Sequence, residues 1–181
     1  MLEFIIFMKK TLLNILSIFF IVILSYGRVF AACDDNPADG VDFSNCQFAD
    51  GQDLSGTYIP NANLEFTGFI KVNFDKSVLM NSSLANANFS EASFYRANLY
   101  EANLQGGNFE GTNFGSANLT RVNFKGSSLV GTIFKNSNMF EADLTGANIL
   151  NAIFEGANLN NAIWINGKKC KLESIGKCKI E

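Results

Sequence analysis

The sequence predicts an all-β solenoid of four-sided coils. Three observations carry this. From residue 54 to residue 164 every fifth position is large and apolar without a miss, twenty-three positions in succession. Two residues before each sits a small side chain (Ala, Ser, Thr, Val, Gly), with Gln52 the one exception. Residues twenty apart then share a character that residues fifteen apart do not. Neither a helix of 3.6 residues per turn nor a strand of period two repeats every five.

In chain order, a leader comes first. The stretch "MKKTLLNILSIFFIVILSYGRVFA" begins at Met8, a possible second start of translation. Lys9 and Lys10 form a positive n-region, and residues 12–24 an apolar h-region of 13 residues, short for a spanning helix. Val29 and Ala31 suit the −3 and −1 positions of a cleavage site, so residues 1–31 read as a signal peptide. The competing readings are an uncleaved anchor and lipidation at Cys33, although "VFAAC" has Phe where lipoprotein signals carry Leu. Residues 32–50 read as an N-terminal cap with the first irregular repeats. Phe43 and Phe48 look like two repeats set out of phase by one inserted residue before Leu54.

Residues 51–166 are the regular array. The position before the central apolar residue is very often Asn: 63, 73, 88, 98, 103, 108, 113, 118, 123, 138, 148 and 158. This is the pattern A(D/N)LXX, and over about residues 41–164 the chain closely resembles the pentapeptide-repeat family. The resemblance implies a right-handed, four-sided parallel β-helix with one pentapeptide per side and four per coil.

The columns support four sides on their own. Phe74, Phe94, Phe114, Phe134 and Phe154 are all Phe, whereas Leu79, Leu99, Leu119, Met139 and Leu159 avoid aromatics. Leu64, Leu84, Leu104, Phe124, Leu144 and Trp164 form a third column; Phe69, Phe89, Phe109, Leu129 and Ile149 a fourth. The third column gains a Phe at 124 where the fourth loses one at 129, so that layer still holds two Phe and two Leu. Constant volume per layer is what facing side chains in a close-packed interior require. The small residue points in at the corner. The Asn is expected to form ladders with its counterpart one coil on. About six coils spaced ~4.8 Å apart give a stack of roughly 28 Å.

The four cysteines lie at the ends: Cys33 and Cys46 before the coils, Cys170 and Cys178 after. A stack of roughly 28 Å holds its ends far beyond the ~4.4–6.8 Å Cα separation of a disulfide, which leaves Cys33–Cys46 and Cys170–Cys178 as the expected pairs. An even count behind a signal peptide suits an oxidising compartment; free thiols are the alternative. Zinc is disfavoured, since these spacings do not match Cys-x2-4-Cys and the chain has no His. The tail "IWINGKKCKLESIGKCK" resembles a C-terminal cap of secreted or envelope pentapeptide-repeat proteins of bacteria, and "CDDNPADGVDFSNC" their N-terminal cap; residues 167–181 are assigned to the former.

No catalytic constellation is found. Without His there is no Ser-His-Asp triad or Cys-His pair. Glu91, Glu101, Glu110, Glu141 and Glu155 fall at outward positions and read as solvated charge. No calcium repeat of the GGxGxD type is present, and no cofactor or metal is expected. Charge is uneven: Asp34 to Trp164 holds 14 acidic and 6 basic residues, and Ile165 to Glu181 five Lys against two Glu. The basic tail reads as a solvated cap, or else as an anchor for anionic lipid or phosphate. One outward column, Pro60, Met80, Tyr100, Thr120 and Phe140, is richer in apolar residues than the rest, with Tyr95 beside it. Met80, Tyr95, Tyr100 and Phe140 form a candidate contact strip, interrupted at Thr120.

The expectation is a non-catalytic exported scaffold of the periplasm or the extracellular space, a protein-interaction or structural module of the cell envelope. Its expected partners are a protein or a second copy through the apolar column, with no nucleic acid and no membrane span after cleavage. The alternative is a DNA mimic, because some members of the resembled family imitate duplex DNA in shape and charge and protect topoisomerases.

Overall fold

A computed structural model describes Cys33 and residues 36–180. The predicted leader and its cleavage site lie outside the described residues. The chain divides into two units, Met1–Asp35 and Asn36–Glu181, and the second holds the whole repeat array.

Every side of the array pairs with the side one coil away through a single parallel bridge. The ladder Asp53↔Asn73, Asn73↔Ser93, Ser93↔Asn113, Asn113↔Ile133, Ile133↔Ile153 runs at a register of twenty, as do the other three sides. The first two bridges, Asp42↔Asn63 and Gln47↔Gly68, run at twenty-one. The extra residue sits in one corner: the turn there closes from Ala49 to Gln52, whereas elsewhere it starts at the central apolar residue itself, as in Leu54 to Thr57.

Each corner is one tight turn, illustrated by Phe89 to Ala92, where the Ala92 amide donates to the Phe89 carbonyl at 3.1 Å. The residue two after the central one takes positive φ: Glu91 +57°, Arg96 +59°, Glu101 +57°, with Gly at 56, 106, 111, 126, 131, 146 and 156. A positive φ at the third position only is the signature of a type II turn.

The backbone amides of a repeat are all spoken for. In the repeat centred on Leu99, the Asn98 amide donates down to Ser77 and the Leu99 amide up to Asn118. The Glu101 amide donates up to Thr120, and the Ala102 amide closes the turn onto Leu99. The fifth, Tyr100, donates to Oδ1 of Asn98 at 3.2 Å. The same Asx contact recurs at Asn63, Asn73, Asn88, Asn103, Asn108, Asn113, Asn118, Asn123 and Asn138. The Asn column thus serves mainly the corner amide. The expected ladder is a second role, seen where Asn108, Asn118, Asn123 and Asn158 donate to the Asn one coil below at 2.9–3.2 Å.

Inside, Leu64, Phe69, Phe74, Leu79 and their successors through Leu144 are fully buried. Phe74, Phe94, Phe114, Phe134 and Phe154 stack with centroids 5.0–5.5 Å apart. The small inward residues that are Ser or Thr stay satisfied by donating to turn carbonyls, as Thr67 does to Leu64 and Ser77 to Phe74, both at 2.6 Å. No buried side-chain nitrogen or oxygen among the described residues lacks a partner.

The C-terminal cap reverses direction. Past Gly167 (φ +77°) the chain folds back and pairs antiparallel, Ile163↔Lys169 and Asn158↔Ile175. Cys170 and Cys178 are disulfide-bonded, Cα atoms 5.1 Å apart. Cys33 and Cys46 are each disulfide-bonded as well, and no described cysteine is free. Among the described residues no helix is long and apolar enough to cross a membrane.

Candidate functional surfaces

With the interior filled by apolar side chains, chemistry is left to the outward positions. The carboxylates singled out in the sequence are spread over several corners, and each has a partner. Glu101 and Glu141 flank Arg121 from the coils below and above, at 3.1 and 2.8 Å. Hydrogen bonds from the Tyr100 hydroxyl and from Arg121 hold the Glu101 carboxyl below its ordinary range. Glu91 pairs with Lys71 at 3.6 Å and Glu155 with Lys135 at 3.1 Å. Glu110 accepts from the Ser128 hydroxyl at 3.1 Å. Among the described residues no three Cys, Asp or Glu side chains converge as a metal site would need.

Met80, Tyr100 and Phe140 of the candidate strip lie along one column with Tyr95 on the neighbouring side, and all four are half-buried. The Tyr100 hydroxyl accepts from Arg121 Nη1 at 3.1 Å, and the Arg96 guanidinium lies 5.1 Å from the Tyr95 ring centre. The strongly exposed large apolar side chains are others: Tyr58, Phe66, Leu150, Ile153, Leu172, Ile175 and Ile180. Five of the seven lie in the last coil or the cap. Leu150 is legible in the sequence by its phase, and Ile153 by taking the place where the pattern usually has Asn.

The cap also forms a cleft of about 490 Å³ lined by Asn161, Lys168, Lys169, Cys170 and Lys171. Two smaller hollows lie on the coils, one beside Asp75 and Lys76 and one beside Tyr95, Ile133 and Lys135.

The model of the pentapeptide-repeat family matches in eight copies, over residues 77–115, 97–136, 117–156 and 137–163. Comparison with curated proteins gives no significant match. Among solved structures, trypsin-treated QnrB1, a plasmid-mediated fluoroquinolone resistance protein, superposes with a TM-score of 0.65 at 22% identity, covering 70% of this chain and 66% of that one. Full-length QnrB1 gives 0.64 at 23% identity, covering 68% and 65%. The chain therefore spans just under two thirds of the QnrB1 chains it matches.

This likeness corrects one expectation. The sequence leads to the expectation of a protein or a second copy as partner, with no nucleic acid. The fold is shared with a fluoroquinolone resistance protein. With the fold shared in this way, the expectation that nucleic acid is absent from its partners does not stand. Residues 77–163 belong to the pentapeptide-repeat family.

Proposed function

We propose that the protein is a non-catalytic β-helical scaffold, right-handed and of about six coils, that is exported and works through its outer surface in the periplasm or outside the cell. The observation carrying this reading is the oxidised state of the cysteines: Cys170 is bonded to Cys178, Cys33 and Cys46 are disulfide-bonded, and none of the four is free. Disulfides of this structural kind persist in oxidising compartments and are rare in the cytosol. A filled interior and carboxylates held by neighbouring cations or hydroxyls agree with a structural surface. Fractionation of the native cell, followed by mass spectrometry of the mature N-terminus and thiol labelling, tests it. A start at Ala32 or Cys33 with four blocked cysteines is expected. An intact leader with labelled thiols in the cytosol refutes export.

A second reading is mimicry of DNA toward a topoisomerase, as the family resemblance implies for some members. The fold likeness to QnrB1 favours it, and so does the acidic body, 14 acidic against 6 basic residues from Asp34 to Trp164. Against it, cations interleave the acids across coils, at Lys71–Glu91, Arg121–Glu141 and Lys135–Glu155. A supercoiling assay with a type II topoisomerase and a fluoroquinolone decides: protection by the purified protein supports mimicry, and no protection at micromolar protein removes it.

A further inference from the structure

The C-terminal end of the array differs in chemistry from everything below it. Residues 165–181 carry five lysines, and the body from Asp34 to Trp164 is net acidic by eight charges. Lys168, Lys169 and Lys177 make no ion pair among the described residues, and Lys179 meets Glu173 only at 3.8 Å. The same segment exposes aliphatic side chains: Leu172 at 68%, Ile175 at 55% and Ile180 at 39%. The disulfide holds them there. It closes residues 171–177 into a loop whose Ser174 is fully buried while Leu172 and Ile175 stand outside. In the coil beneath, Leu150 and Ile153 are exposed as well.

We propose that this cap docks on the surface of an anionic lipid bilayer. Phosphate headgroups would enter the cleft between Asn161, Lys168, Lys169 and Lys171, and Leu172, Ile175 and Ile180 would enter the boundary between headgroups and acyl chains. Lysines near such a surface are drawn to it by its negative potential, and apolar side chains supply the part of binding that salt does not screen. The aliphatic residues decide between anions. A nucleic acid or free phosphate uses the lysines alone and leaves Leu172 and Ile175 in water, whereas a bilayer uses both. The acidic body is repelled by the same surface, so docking is end-on, with the coils directed away from the lipid. The proposal does not depend on the compartment or on either reading of function.

The test uses the full, oxidised chain and co-sedimentation with vesicles of phosphatidylcholine alone or with a quarter phosphatidylglycerol. Binding to the anionic vesicles is expected to exceed binding to the neutral ones by at least tenfold and to weaken at high salt. Replacing Lys168, Lys169 and Lys177 together by Gln should weaken it about 100-fold, at roughly fivefold per lysine. L172S with I175S should weaken it at least tenfold, with unchanged melting because both side chains are exposed. K71Q with K76Q, in the body, should not weaken it. Equal binding to both vesicles, or full binding by the lysine variant, overturns the proposal. So does a Leu172–Ile175 variant that binds as wild type while inorganic polyphosphate or duplex DNA competes for the lysines, which makes the cap a polyanion site instead.

Discussion

Phe124 and Phe134, on facing sides of adjacent coils, meet edge to face with ring centres 5.7 Å apart and planes at 80°. Phe124 meets Phe114 in the same way at 5.8 Å, and Phe109 at 6.0 Å. It is thus the Phe of its column that reaches across the interior into a stack belonging to the facing side. Leu129, in the fourth column, is the Leu that makes room for it.

Phe124→Leu should therefore destabilise the protein by about 1–3 kcal/mol, through lost area and a residual cavity. Leu129→Phe alone should overpack the layer by a similar amount. The double variant restores two Phe and two Leu and should lose less than the sum. A double-mutant cycle from chemical unfolding reads the coupling, with a favourable interaction of at least 0.5 kcal/mol expected. Strict additivity would mean that the two sides do not share a volume.

The top of the array is unevenly closed. The cap strands accept and donate on two sides: Leu159 donates to Ser174 and Trp164 to Lys168, both at 2.8 Å. On the other two sides the amides of Ile149, Asn151 and Phe154 have no hydrogen-bond acceptor among the described residues. Hydrogen exchange should show Ile149 and Phe154 exchanging fast, and Leu129 and Phe134, one coil below, among the slowest. Equal protection of both pairs would mean that another group covers this edge.

Much of this was readable in the sequence, because a five-residue period at a twenty-residue register forces both the corners and the core. The inserted residue before Leu54 and the exchange of Phe between 124 and 129 are visible as breaks in that pattern. The Asn role was not separable from it: a ladder and a corner acceptor place Asn at the same position, and only the geometry ranks them. The antiparallel cap and the open edge were hidden because they depend on where the chain turns after Trp164, outside the repeat. For the surface, phase says that Tyr100 and Phe140 point outward but not that neighbouring corners half cover them.

Acid should weaken the fold in part through Asp143. Burial alone would raise its carboxyl, but the Thr145 hydroxyl and amide and Lys125 at 3.0 Å outweigh that and hold it below the ordinary value. A depressed folded value means its stabilisation is present above the unfolded value near ~3.9 and is lost as pH falls through the folded one. Melting temperature should fall as pH drops below about 4. Asp143→Asn should melt lower at pH 7 and lose less on acidification. An identical pH slope in the variant would exclude Asp143 as a contributor.

The cap depends on its staple. Cys170 and Cys178 close a loop with a sequence separation of 8, for which chain entropy predicts about 2–3 kcal/mol. With both cysteines replaced by Ser, the loss should appear first as faster exchange at Leu159 and Trp164, whose acceptors Ser174 and Lys168 lie in the cap. Loss spread evenly over all coils would mean instead that cap and coils unfold as one unit.

Phe66 occupies the third position of a corner turn at φ +56°, and the residue is 53% exposed. One to four coils further on, the same corner holds Asn86, Gly106, Gly126 and Gly146, residues suited to that conformation. A bulky side chain there is strained, and its ring recovers only part of the benefit of burial. Phe66→Gly removes the strain but adds freedom to the unfolded chain, the two effects opposing one another at about 1 kcal/mol each. The Phe66 amide keeps its bond to the Ala85 carbonyl at 3.1 Å either way. The variant should therefore melt within a few degrees of wild type, and Phe66→Val, which adds β-branching at positive φ, should melt clearly lower. If Phe66→Gly is destabilised as much as Phe66→Val, the ring makes a contact whose worth exceeds the strain.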